Sequence, residues 1–502
     1  MLTPAFTVSQ DEDYIIVVLK CPYVRSQDVE FFIDQTEFKF AIRPYYLKLT
    51  FPCAIIEDGR ETASYDIGAG EMTIKLPKMN AGEHFPDLDL LSTLVSARQP
   101  QQLQAPKKVG IQMLEDSDDE SDEEMDSDLV PDWDEPTQLL DQPSLTGSHY
   151  GFNNQYSGDG SHVRSLLSDI LDVKDIDTST PSSRRNSRLE VEDSRFDEDY
   201  YMQVFADYMD DQIICHLVSR ESEYSKIWKQ MRYANTNLVD ELQRLELDQS
   251  TSPTLSTDSN ADGTLVNMMA STSLREHPTA SLPTPAPSPD RDVKKVDPVE
   301  SSIVFTPSEQ EVMRNLPKKP YLIEDSKQLY LGLVDILYAY CLDSRITEGE
   351  HTRESAILIG KLSSSFSCFE VFTTAQEVLT ACYRRSLIFP LHRNFALSVA
   401  AHRDVTILLN IGKRAILKVL ISLKLMMDHD DRAYMLCRLW VDDYAVWVQS
   451  CSDHVLASLA SKLGSIQIEK GDLGWNLEAY ERLALESEEG FDEEADEFEA
   501  EE

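Results

Sequence analysis

The chain carries 89 acidic against 46 basic residues in 502, a formal net charge of −43 at pH 7. That length has room for two or three domains, each able to bury a core of its own. The charge argues against direct binding of duplex nucleic acid, which needs clustered Lys and Arg, and favours partners with basic surfaces.

Residues 1–95 read as a β domain. Tyr14–Leu19, Val29–Ile33 and Glu37–Ile42 are rich in branched and aromatic residues, with turn formers at Asp11–Asp13 and Asp34–Thr36. In Glu71–Leu76 the apolar Met72, Ile74 and Leu76 alternate with Thr73 and Lys75, as in a half-buried strand. Roughly six or seven short strands over this length predict a small antiparallel sandwich. Phe6 is expected in its core, Gln10 beside the Asp11 turn at its surface, and Tyr45 and Tyr46 on opposite faces of one strand. No basic-then-apolar leader is read at the N-terminus, and the aliphatic run Ile15–Leu19 is far too short to span a bilayer.

Residues 96–195 read as a disordered linker, with too few large apolar residues to offset ordering entropy. Within it, residues 115–135 hold thirteen acids and no Lys or Arg. Ile111–Leu114 and Val163–Leu171 read either as short binding elements or as plain linker. Ser117 and Ser121 each have a Glu three residues on, the pattern acidophilic kinases favour, and Arg184-Arg-Asn-Ser187 fits a basophilic kinase. A phosphate at Ser117 adds charge and acceptor oxygens for a Lys/Arg cluster.

From Phe196 the texture turns helical. Residues 196–247 read as the first helices of an all-α domain, 248–302 as a disordered Ser/Thr/Pro-rich insertion, and 303–485 as the domain's main part. Leu329, Leu333, Ile336, Leu337 and Tyr340 share one helical face, as do Val405, Leu408, Leu409, Gly412, Ile416, Val419 and Leu420. Residues 303–477 are nearly neutral, with twenty acids against nineteen Lys and Arg. Their basic stretch runs from Tyr383, Arg384 and Arg385 through His392, Arg393 and His402 to Lys413, Arg414 and Lys418. Three readings stand: internally paired and solvated helix faces; a clamp on a partner or on the chain's own acidic tail; or an RNA-facing surface. The two His read as satisfied structural residues. Trp440, Tyr444 and Trp447, at i, i+4 and i+7, form a stripe that is either core or a partner anchor. The tail, residues 486–502, holds eleven acids, among them Glu493, Glu494, Glu497 and Glu499. It reads as a solubilising disordered tail or as a polyanion set against a basic surface.

The eight Cys are scattered without a CxxC or Cys/His cluster, so buried reduced thiols are expected rather than a zinc site or disulfides. No Walker loop, HExxH, GxSxG or EF-hand loop occurs. No catalytic residue, metal or cofactor is therefore expected. The chain reads as a monomeric binding protein without turnover, with no stable nucleic-acid or membrane contact.

Two stretches carry a family resemblance. Thr3–Glu12, Pro44–Pro52 and Phe85-Pro-Asp-Leu-Asp-Leu90 resemble the CS domain of the assembly factor for H/ACA ribonucleoproteins. Arg345–Glu350, Phe389-Pro-Leu-His-Arg-Asn-Phe-Ala-Leu397 and Ser450–Leu485 resemble its helical domain. The resemblance implies a chaperone that holds new dyskerin, a pseudouridine synthase, on its RNA-binding surface. It implies the helical domain as clamp, release by the AAA ATPases pontin and reptin, and residence in nucleus and cytoplasm. The Asp116-Ser-Asp-Asp-Glu120 run also resembles the phospho-motif read by the PIH-domain adaptor of the pontin–reptin complex. The rival class is a general heat-shock co-chaperone working through the CS domain, and a third is an RNA-binding scaffold using residues 383–418.

Overall fold

The computed structural model describes residues 2–22, 24, 29–66, 68–95, 130–137, 148–158, 160–210, 212–233, 303–319, 321–323 and 325–486. Residues 229–302 make a separate unit of which only 229–233 are described, and all that follows concerns the other unit.

The N-terminal strands are β1 (Ala5–Gln10), β2 (Tyr14–Lys20), β3 (Glu30–Asp34), β4 (Glu37–Ile42), β5 (Tyr45–Thr50), β6 (Thr62–Asp66) and β7 (Glu71–Pro77); apolar residues alternate in β1, β4, β5 and β7, whereas β2 is a continuous aliphatic run. Asp11 closes the first turn, its carboxylate accepting the backbone N–H groups of Asp13 at 3.0 Å and Tyr14 at 2.6 Å. The strands form two antiparallel sheets, β1-β2-β7-β6 and β3-β4-β5. Register puts Val17 opposite Ile74, and Phe38 opposite Leu49. The period of two then gathers Ile15, Val17, Leu19 and Ile74 from one sheet with Phe38, Phe40 and Leu49 from the other into one core. The expected antiparallel sandwich therefore forms. Phe6 is buried within it, Tyr45 packs against its core, and Tyr46 turns outward. A short helix, α1 (Leu91–Val95), follows.

The rest is mostly helical. Its named elements are α2 (Pro181–Arg195), α3 (Pro307–Asn315), α4 (Ser326–Ile346), α5 (Ala375–Ser386), α6 (Phe395–Ile411), α7 (Lys413–Met427), α8 (Asp442–Trp447) and α9 (Asp453–Ser465). Helix α4 is the axis, packed by α5, α6, α7 and the helix Ser355–Leu362. It buries its whole circumference rather than the single face expected, as a helix at the centre of a bundle must. Asp335, fully buried on it, accepts from the Ser363 hydroxyl at 2.6 Å and the Ser365 N–H at 2.8 Å. The buried carboxylate thereby satisfies the start of the turn Ser364–Ser367.

Over its described residues, 130–137, 148–158 and 160–195, the expected linker 96–195 is corrected by the structure. Trp133 is buried and donates its indole N–H to the Ser458 hydroxyl at 3.2 Å, while its carbonyl accepts the Ala375 N–H at 3.1 Å. Tyr150 stacks on Phe369 at 5.3 Å, and Phe152 meets Tyr444 edge-on at 4.9 Å. Val163, Leu167 and Ile170 are buried as well, so Val163–Leu171 is neither a binding element nor plain linker. Helix α2 opens on a Thr180–Ser183 capping box with Pro181 in its first turn, and turns Arg184, Arg188 and Glu192 inward. These segments escape a hydrophobicity reading because they are held by isolated aromatics and by buried ion pairs. Ile111–Leu114 lies outside the described residues.

Candidate partner-binding surfaces

The basic stretch is mostly an interior feature. Arg384 and Arg385, both buried on α5, converge with Arg188 on Glu192. Its carboxylate takes Arg188 at 2.9 Å, Arg384 at 2.5 Å and Arg385 at 3.5 Å. Arg385 also donates to Asp172 at 2.8 Å, and Arg384 to Asp193 at 2.5 Å while lying 4.2 Å over the Trp475 ring. Glu370 receives Arg188 and Arg185, yet burial still lifts its carboxyl above the usual range. Tyr383 is buried with its hydroxyl on His402 Nδ1 at 3.1 Å; His402 Nε2 meets the Leu463 carbonyl at 3.1 Å. Tyr383, Arg384 and Arg385 are therefore corrected from partner-binding candidates to core. Charges this deep are retained because each is matched.

Lys413, Arg414 and Lys418 are used internally too. Arg414 donates to Asp89 at 2.7 Å and to Asp87 at 3.2 Å, and Lys413 pairs with Asp87 at 2.6 Å. Ser92 on α1 donates to Gln449 at 2.5 Å. These contacts fasten the sandwich to the helices, so the Phe85–Leu90 motif works as a seam. Gln10 is also corrected, because its side chain is spent inside the sandwich. Its amide N–H donates to the Phe85 carbonyl at 2.8 Å, and its carbonyl accepts the Phe85 N–H at 2.9 Å and Lys78 at 3.0 Å.

Trp440, Tyr444 and Trp447 are corrected in the same sense, being 3–4% exposed. Trp440 meets Phe369 at 4.9 Å and Trp447 meets Tyr330 at 4.8 Å, while the Tyr444 hydroxyl donates to the Leu329 carbonyl at 3.1 Å. Ser187 sits half-buried on α2, and the arginines before it are engaged. Arg184 donates to the Phe369 carbonyl at 3.1 Å and Arg185 pairs with Glu370 at 3.4 Å, so the folded chain does not present an extended kinase motif. Ser117, Ser121, Glu493, Glu494, Glu497 and Glu499 lie outside the described residues.

Arg393 differs. Its guanidinium lies 4.3 Å over the Tyr200 ring, and the Tyr200 hydroxyl donates to the Leu391 carbonyl at 2.8 Å. The Leu391 side chain is 70% exposed and is followed by His392 and Arg393, while the exposed Arg195 lies 5.4 Å over the ring of Phe389, two residues before it. A fixed apolar knob beside arginines is the kind of feature that anchors a partner. The sequence reading named Arg393 but missed Leu391, whose signal was the Pro390-Leu391 pair ahead of the helix cap Asn394.

Among the described residues, no group of three or more His, Cys, Asp and Glu side chains is placed to hold a metal ion, and no helix is long and apolar enough to cross a membrane. Burial raises the thiols of Cys341 and Cys382 well above their ordinary value and that of Cys368 to about 12, which leaves them unreactive.

Residues 3–95 match the family described as SHQ1-like, CS domain, and residues 294–477 match SHQ1 protein, Shq1 domain. The chain is 32% identical over 489 residues to Protein SHQ1 homolog of Xenopus tropicalis, covering 96% of this chain and 70% of that protein. It is 32% identical over 521 residues to Protein shq1 of Schizosaccharomyces pombe, covering 99% of this chain and 100% of that protein. The chain belongs to the SHQ1 family. The resemblance to an H/ACA assembly factor of chaperone type thus holds at the level of family, and the general co-chaperone reading is not favoured. Within the SHQ1 frame, the seam joins the two matched stretches, with Asp87 and Asp89 in the CS match and Arg414 in the Shq1-domain match. The folded Shq1 part also reaches N-terminally beyond its match, because Trp133, Tyr150 and α2 help build its core.

Proposed function

We propose that this SHQ1-family chain is a placeholder for a dyskerin-type pseudouridine synthase, occupying the surface that later takes H/ACA RNA. The observation that carries this reading is family membership across both the CS and the Shq1 domain, in one order, over nearly the whole chain. The helical domain is the clamp; the sandwich is a bracket set by the seam. Binding is by occupation without turnover, and the acidic segments favour a basic, RNA-reading surface on the synthase. Phosphorylated Ser117 and Ser121 recruit the pontin–reptin machinery that removes the chaperone, and the cycle spans cytoplasm and nucleus. Titrating the full chain with purified synthase tests the reading. Saturable one-to-one binding without any heat-shock chaperone supports it; binding that requires such a chaperone, or no binding, refutes it.

A further inference from the structure

Residues 477–486 form a helix that packs on the segment carrying Tyr200 and Tyr201. Glu481 on it accepts the Tyr201 hydroxyl at 2.8 Å, and Tyr201 is the chain neighbour of Tyr200, on which Arg393 stacks. Lys470 links the same places, pairing with Glu481 at 2.5 Å and lying 5.7 Å over the Phe395 ring. From Glu481 to Glu486 the helix rises about 7.5 Å. The sixteen residues after Glu486 reach at most about 53–58 Å when extended, ample to cross this one face.

Charge and shape agree. The surface offers the exposed Leu391 beside His392 and Arg393, with Arg195 over the nearby Phe389 ring. Among the described residues Arg393 forms no ion pair with a carboxylate; its Nε donates to the Pro390 carbonyl at 3.3 Å, and burial holds its guanidinium below its ordinary range against the opposing Asp197 charge. Arg195 pairs with Asp172 at 3.4 Å and keeps its side chain 47% exposed. The tail offers the converse: Phe498 between Glu497 and Glu499, and Phe491 followed by Asp492.

We propose that the acidic tail of this chain folds back on the chain itself, seating Phe491 or Phe498 against Leu391 with its carboxylates on Arg393, His392 and Arg195. Such a tether acts at high effective concentration and weakens as salt screens the ion pairs. The tail is then parked until a more basic surface draws it away. The inference goes beyond the proposed function and requires no partner, so its failure leaves that reading standing.

The test is photo-crosslinking in the full chain, with p-benzoylphenylalanine replacing Phe491 in one sample and Phe498 in another. Intramolecular crosslinks to residues 389–395 or 195–200 are expected, reduced at least fivefold by Leu391→Asp with Arg393→Glu, and by 1 M salt. Leu391 is exposed and Arg393 partly so; a variant with unchanged thermal melting reports docking rather than folding. Crosslinks chiefly elsewhere, or chiefly between two chains, would overturn the proposal. So would an absence of crosslinks, or an intramolecular yield indifferent to both substitutions.

Discussion

Arg414 grips Asp89 from 325 residues away, with a guanidinium only 4% exposed, at the seam between sandwich and helices. Asp87 shares it and also pairs with Lys413. Asp89 is a third exposed, so the pair is screened in part, but removing the carboxylates leaves Arg414 buried with a carbonyl for company. Asp87→Asn with Asp89→Asn is expected to lower stability by about 1–3 kcal/mol, the range for hydrogen bonds to charged groups. A double-mutant cycle with Arg414→Met, read by denaturant unfolding, checks it. Coupling near zero would mean the seam is held by other contacts.

The buried hub should be less forgiving. Glu192 is shared by three arginines whose other counter-charges are Glu370, Asp193 and Asp172, so Glu192→Gln leaves one buried positive charge in excess and is expected to lose about 3–5 kcal/mol. Arg393→Ala, at a stacked and partly exposed site, is expected to lose under about 1 kcal/mol. Comparable unfolding midpoints for the two variants would contradict this ranking.

That ranking also shows what the sequence made legible. The sandwich was readable because β2 and β4 are rich in branched and aromatic residues and β7 alternates apolar with polar ones, a burial signal in itself. The helical character of α4 and α6 was readable from periodicity. What stayed hidden was the interior use of charge. Arg184, Arg188, Arg384 and Arg385 look like solvent residues one at a time, and only the fold reveals that α2 and α5 bring them to Glu192 and Glu370. Trp133 and Phe152 escaped for a related reason, since one aromatic in polar sequence docks through a distant partner. The Thr180-Pro181 start of α2 was a usable signal.

The aromatic stripe should respond as core. Trp440→Ala is expected to lose about 3–5 kcal/mol. Gly332→Ala places a methyl 2.6 Å from the Tyr444 hydroxyl, and overpacking of that kind loses about 1–3 kcal/mol. Both are read as shifts in melting temperature; a neutral Gly332→Ala would show that Tyr444 gives way freely.

His402 supplies a pH dependence. Burial lowers its pKa below the ordinary 6.5, so the unfolded chain binds the proton more readily than the folded one. Its contribution is complete above about pH 6.5 and is lost as pH falls below that value. Melting temperature should therefore fall less steeply between about pH 7.5 and pH 5.5 in His402→Gln than in the unsubstituted chain. Parallel profiles would show that His402 titrates as it does in the unfolded chain.

The central claim, occupation of an RNA site, is tested most directly by competition. The full chain, bound to the pseudouridine synthase, is challenged with increasing H/ACA guide RNA, and the species are resolved by size and composition. The account predicts mutual exclusion, with synthase in complex either with this chain or with RNA. A stable ternary complex holding the RNA in its normal site would contradict it.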